Sequence, residues 1–217
     1  MKLSRLGVCG VLSLLSYLAM VVFSPLAYPG YDWMRMAVSE LSAVGAPSRE
    51  LAAQLNSLFG PCGIVSVMAV CVAVAGCRTR KLRLGVYCFA AMEWLCTVGY
   101  SCFPWVSAAD HLIFQNFMHL AITVLVVLLS IVSLVLIAVS ARKENLRSLG
   151  VWAALCLAAM LVGAVGSNVF SQSVFGIFER LSTISAVVFN AVLGWYLFAG
   201  KLGKMAAAGD ASTGGTQ

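Results

Sequence analysis

Long apolar runs alternate along this chain with short polar segments. Six of the runs approach the roughly 20 residues that a helix needs to cross a bilayer: about 6–26, 57–77, 84–104, 117–139, 149–169 and 181–200. In hydrocarbon the backbone persists only where its N–H and C=O groups are satisfied within the segment, which selects helices. The pattern therefore predicts an all-α polytopic membrane protein, a bundle of six transmembrane helices over residues 1–204 with a disordered tail over 205–217.

The polar segments differ in charge, and the difference predicts orientation. Eleven of the fourteen Lys and Arg residues fall in four segments: Lys2 and Arg5; Arg78, Arg80, Lys81 and Arg83; Arg142, Lys143 and Arg147; Lys201 and Lys204. Lys and Arg resist translocation, so these segments are expected on the cytoplasmic side of a plasma membrane, with both termini inside. The intervening segments hold Arg35, Arg49 and Arg180 against Asp32, Glu40, Glu50, Asp110 and Glu179. The net charge of +6 thus reflects topology and an affinity for anionic inner-leaflet lipid rather than nucleic-acid binding. A composition of 61% hydrophobic and 10% charged residues excludes an ordinary water-soluble globule. The first run exceeds the 7–15 residues of a signal-peptide core, and Pro25, Tyr28 and Pro29 make a poor cleavage context, so it reads as an uncleaved anchor.

One outer segment is long, residues 27–56. Trp33, Met34, Ala37, Val38 and Leu41 recur at helical spacing and predict a short amphipathic helix over 32–43, lying at the interface. Gly45-Ala46-Pro47 ends it. Ser48 then suits an N-cap and Glu50 the first turn of a helix that runs without a break into the second span.

Within the spans, Glu93 lies about 14 Å from the inner end of the third run at 1.5 Å per residue. A charged carboxylate there costs at least ~2.5–3.5 kcal/mol, so Glu93 is expected to be protonated or paired. Cys96, Thr97 and Tyr100 continue a polar stripe outward, and Asn190 in the sixth run stands at matching depth as its partner. The pair would serve a proton or cation step, or fix helix packing by a hydrogen bond. Gly163, Gly166 and Ser167 supply a small-residue packing face in the fifth run. The eight cysteines show no C-x-x-C spacing, and only Cys62 and Cys102 approach the outer face, where a disulfide is left open. No P-loop, Gly-rich dinucleotide turn, Ser-His-Asp set, zinc cluster or paired haem ligands can be assembled, so no metal and no cofactor is expected.

Several short pieces occur in a fixed order: YPG from Tyr28, SELSAVGAPSRE from Ser39, FPW from Phe103, His119 opening the fourth run and GIFERL opening the sixth. Together they resemble the bacterial membrane family called domain of unknown function 998, over about Tyr28 to Tyr196. The resemblance implies a six-helix integral membrane protein without an established biochemical role. That family's pattern places an Asp directly after the Phe-Pro pair. Here Trp105 follows, and the next acid is Asp110.

The matching residues share one rim: Ser39, Glu40, Asp110, His119, Glu179 and Arg180. Carboxylates, an imidazole and a guanidinium in one place can bind a lipid headgroup or small ligand, or perform acid–base chemistry. They can equally pin the loop to the bundle, with Arg180 paired to Glu40 or Glu179, Glu40 being the partner expected first and His119 bordering that pair. Three classes of function are compatible with these residues: recognition at the rim, proton-coupled transport through Glu93, and hydrolysis by His119 with Glu40, Glu179 and Ser39. Oligomeric state is not legible.

Overall fold

A computed structural model of the protein describes residues 2–106 and 113–202. Asp110 and the tail over 205–217 lie outside the described residues. Eight α-helices follow one another: α1 (Val8–Phe23), α2 (Arg49–Leu55), α3 (Phe59–Val74), α4 (Arg80–Trp94), α5 (Tyr100–Cys102), α6 (Phe114–Ser140), α7 (Arg147–Val169) and α8 (Phe175–Phe198). Among the described residues there is no strand, only an isolated bridge between Val44 and Val106. Five helical stretches are long and apolar enough to cross a membrane: Leu3–Ala27, Arg49–Val74, Phe114–Glu144, Arg147–Val169 and Gln172–Phe198. The expected third span is helical too, but it is built from α4, a π-helical turn at Leu95–Gly99 and α5. Arg80, Lys81 and Arg83 open it and Glu93 interrupts it, which separates it in composition from the other five.

The six long segments close a ring in chain order. α1 packs on α3, α3 on α4, α4 on α6, α6 on α7, α7 on α8 and α8 back on α1, while α3 and α8 also meet across the middle. Apolar side chains cover the outside, among them Val22, Val72, Val124, Leu155 and Val165. Serines at positions 13, 66, 130, 133 and 185 are buried between helices. That distribution suits a lipid solvent, in which close backbone approach and interhelical hydrogen bonds hold helices together. Where α1 is entered, a Cβ on Gly7 would fall 2.1 Å from the Gly194 carbonyl oxygen, so the backbones of the first and last long helices touch.

The long loop departs from expectation. Residues 32–43 do not form an amphipathic helix: a single turn at 32–36 precedes a 3-10 helix, Val38–Ser42. The cause is tertiary, because the carbonyls of Trp33 and Met36 are taken by Arg180 of α8 instead of by amides farther along the loop. Val38 and Leu41 are buried against the bundle. Ser48 occupies the position before α2 but does not cap it, since its hydroxyl donates to the Leu41 carbonyl at 2.7 Å. The second run is not continuous either: α2 ends at Leu55 and α3 begins at Phe59. Two hydroxyls of α1 cover the break, Ser16 donating to the Leu55 carbonyl at 2.5 Å and Ser13 to that of Phe59 at 2.7 Å. All eight cysteines are free, so Cys62 and Cys102 do not pair.

The small face of α7 meets α8. A Cβ on Gly163 would come within 2.5 Å of both the Phe178 oxygen and the Ser182 nitrogen, and one on Gly166 within 2.2 Å of the Phe178 ring. Gly163→Val should therefore destabilise the bundle by about 1–3 kcal/mol, read as a lower melting temperature in detergent; Ser167→Ala, whose hydroxyl donates to the Ala164 carbonyl and accepts from Asn168 of its own helix, should melt like the parent.

Candidate functional site

The rim residues separate into two groups on either side of the long loop. In the first, Arg180 is buried in the early turns of α8. One guanidinium nitrogen, Nη1, donates to the carbonyls of Trp33 at 2.7 Å, Met36 at 2.9 Å and Gly176 at 2.8 Å. The other, Nη2, donates to the Tyr31 hydroxyl. Tyr31 in turn donates to the Ala37 carbonyl at 2.8 Å and places its ring 5.8 Å from the guanidinium. Gly176 gives its N–H to the Met34 carbonyl, and Glu179 accepts from the Val38 N–H at 3.2 Å. Only glycine fits at 176, because a Cβ would stand 2.5 Å from the Trp33 oxygen.

This arrangement replaces the expected Glu40–Arg180 ion pair. Residues 33–37 have no regular structure of their own, so their carbonyls need donors from elsewhere. A guanidinium, with several donors in one plane and weak hydration, supplies them. Glu179, its neighbour on α8, holds the same loop through the Val38 N–H. The pair acts as a clamp.

The second group joins the loop to α5 and α6. Glu40 accepts from the Trp105 indole N–H at 3.0 Å, and Val44 donates to the Trp105 carbonyl at 2.8 Å. Asn116, fully buried, closes on Val106 from both sides, accepting from its N–H at 3.0 Å and donating to its carbonyl at 3.2 Å. His119 lies one turn farther along α6. Its Nδ1 is 2.9 Å from the Phe103 carbonyl; a carbonyl only accepts, so Nδ1 carries the proton and Nε2 is the acceptor of the neutral ring. The rings of Tyr100 and Trp105 stand 4.7 and 5.6 Å from the imidazole. Thr123 donates to the His119 carbonyl at 2.9 Å and thus receives the Tyr100 hydroxyl at 3.0 Å.

His119 and Glu40 therefore meet through Trp105, whereas Arg180 and Glu179 serve the loop backbone. Ser39 makes no hydrogen bond to His119, so the geometry of an activated serine is not formed. A shallow recess of about 390 Å³ lies beyond the clamp, lined by Gly30, Asp32, Arg35, Met36 and Gln172, and includes none of the rim residues named from sequence. Deeper in the bundle, Glu93 is 3% exposed and lies beside Asn190, a polar atom of each being within 3.2 Å of the point a Cβ on Gly63 would occupy. Thr97 and Tyr100 do not continue one stripe outward from it. The π turn shifts the helical register, so Thr97 faces Gly60 of α3 while Tyr100 faces α6.

Sequence reasoning overlooked Tyr31, Asn116 and the positioning role of Trp105. A weak signal existed for each: Tyr31 and Trp105 adjoin the YPG and FPW pieces, and Asn116 is a polar residue opening an apolar helix.

The helices define a multi-pass integral membrane protein. The family model described as protein of unknown function (DUF998) matches residues 11–196, and the chain belongs to that family. Comparison with curated proteins and with solved structures finds no match.

The clamp makes two predictions. Arg180→Ala should speed amide hydrogen exchange over residues 31–38, while the amides of α6 keep their protection. Burial pushes the Tyr31 hydroxyl up to about 12, opposed by the neighbouring Arg180 charge. A raised tyrosine value means that folding favours the neutral phenol, so this contribution is intact below about pH 10 and is lost as pH rises toward 12. The phenolate absorbance lost in Tyr31→Phe should accordingly be a component of the parent's titration that rises above the ordinary tyrosine range, near pH 12.

Proposed function

We propose that this membrane protein recognises a lipid headgroup or small polar ligand at the end of the bundle that carries the long loop, through Glu40, Tyr100, Trp105 and His119. One observation carries the reading: the His119 ring is fixed through Nδ1 and flanked by two aromatic rings, and its Nε2 makes no hydrogen bond among the described residues. Held imidazoles with one bonded nitrogen present the other to a partner. Beside an acidic side chain and π faces, that partner is an amine-bearing group, which donates N–H to Nε2 and is attracted by the rings and the carboxylate. The clamp around Arg180 supports the site by fixing the loop that carries Glu40.

The charge distribution supports an orientation with this end outside and both termini in the cytoplasm. Arg80–Cys102 would then cross as a sixth span. Hydrolysis is disfavoured, because among the described residues no nucleophile is hydrogen-bonded to the His119 ring.

Phosphoethanolamine should raise the melting temperature of the parent in detergent and glycerol phosphate should not. His119→Ala should weaken binding by roughly tenfold, about 1.4 kcal/mol, and Glu40→Gln should weaken it as well. Equal stabilisation by both compounds, or by neither, overturns the reading.

A further inference from the structure

The buried core holds a second polar site, independent of the rim. Gly60, Gly63 and Ser66 recur every three residues along one face of α3, and each meets polar groups of other helices. At the middle level, Glu93 Oε2, Ser13 Oγ and Asn190 Nδ2 all lie within 3.2 Å of the point a Cβ on Gly63 would occupy. One turn toward the loop end, Thr97 packs on Gly60; one turn the other way, Ser66 Oγ lies between Gly10 of α1 and Gly194 of α8. Three buried oxygens at these levels have no hydrogen-bond partner: Thr97 Oγ1, Asn190 Oδ1 and Ser66 Oγ. Native interiors rarely leave such groups unpaired, and polar sites of this kind hold water.

Glu93 has no basic residue within ion-pair distance among the described residues. Ser13, Gly63 and Asn190, facing it from α1, α3 and α8, are uncharged. Cys96 follows Glu93 three residues later, in the π turn after α4. Tyr17 of α1 is turned to Thr183 and Phe59. Glu179 and Arg180 are ten or more residues away along α8, about 15 Å. An ionised carboxylate in this setting is costly, and the protonated acid needs an acceptor for its O–H. The Asn190 amide stands beside it: a Glu93 carboxyl oxygen and Asn190 Nδ2 each lie within 3.2 Å of the same point at Gly63, Nδ2 donates to the Gly63 carbonyl at 3.3 Å, and Oδ1 has no hydrogen-bond partner among the described residues. An amide accepts from a protonated acid through its oxygen and donates to a carboxylate through its nitrogen.

We propose that Glu93 and Asn190 form a reversible proton-binding site at bilayer depth, served by water at Thr97 and Ser66. In loading, a hydronium ion gives its proton to a Glu93 oxygen, an O–H bond forms and water is left; release is the reverse. The π turn that begins at Leu95 has the placement of such turns at functional sites and directs Thr97 onto this column.

Infrared difference spectroscopy on the full protein in lipid nanodiscs tests this. Acidic-minus-alkaline spectra should contain the C=O stretch of a protonated carboxylic acid that shifts in D₂O and is absent from Glu93→Gln. Asn190→Ala should shift the band and its titration midpoint; Thr97→Val and Ser66→Ala should slow its response to a pH jump several-fold without moving its frequency. Glu93→Gln should melt like the parent, so its comparison decides the matter even if Asn190→Ala fails to fold. A Glu93 band that persists unchanged at alkaline pH, or no such band at any pH, overturns the proposal. Phosphoethanolamine binding at the rim is unaffected by either result.

Discussion

A chain whose solvent is hydrocarbon must satisfy its own backbone, and this protein does so wherever a helix stops. Water can finish a frayed helix end in a soluble protein; at membrane depth a freed carbonyl costs several kcal/mol unless a side chain reaches it. Ser13 and Ser16 of α1 serve the carbonyls freed between α2 and α3. Arg180 serves those of the long loop, and Asn116 serves both polar groups of Val106. Each of these side chains stands on a long helix and reaches a helix end or an irregular segment. The helices thus position the loops, and the loops carry the candidate chemistry.

This constraint explains why the rim charges divide as they do. Arg180 and Glu179 are spent on backbone groups, so their charges stabilise the loop rather than advertise a site. His119 differs: the Phe103 carbonyl uses only one of its nitrogens. A single imidazole thereby acquires a fixed direction, with an acceptor nitrogen that bonds nothing else among the described residues.

The interior follows the same logic with a different outcome. Glycines on α1, α3 and α8 bring backbones together, with Ser13 and Asn190 beside the Glu93 carboxyl at Gly63 and Thr97 and Ser66 one turn to either side. Close packing and a polar core usually compete. Here the glycines create the room that the polar atoms occupy, and the unpaired oxygens mark where protein partners were not supplied.

The helical class, the apolar segments and the membrane setting were legible in the sequence because lipid imposes length and composition on each segment separately. Glu93 and Asn190 could be paired from depth alone, since rise per residue converts position into height. The rim was legible only as a list of residues at one level. Which of them meet depends on rotation about each helix and on the path of irregular backbone, neither of which is encoded by local periodicity. Thus the expected helix over 32–43 gave way to a loop held by Arg180, and the expected stripe from Glu93 to Tyr100 was split by a π turn. Hydrophobic pattern fixed how far along the membrane normal each side chain lies. Only the tertiary structure decided which way it turns, because that is set by the neighbouring helices' demand for hydrogen-bond donors and close packing.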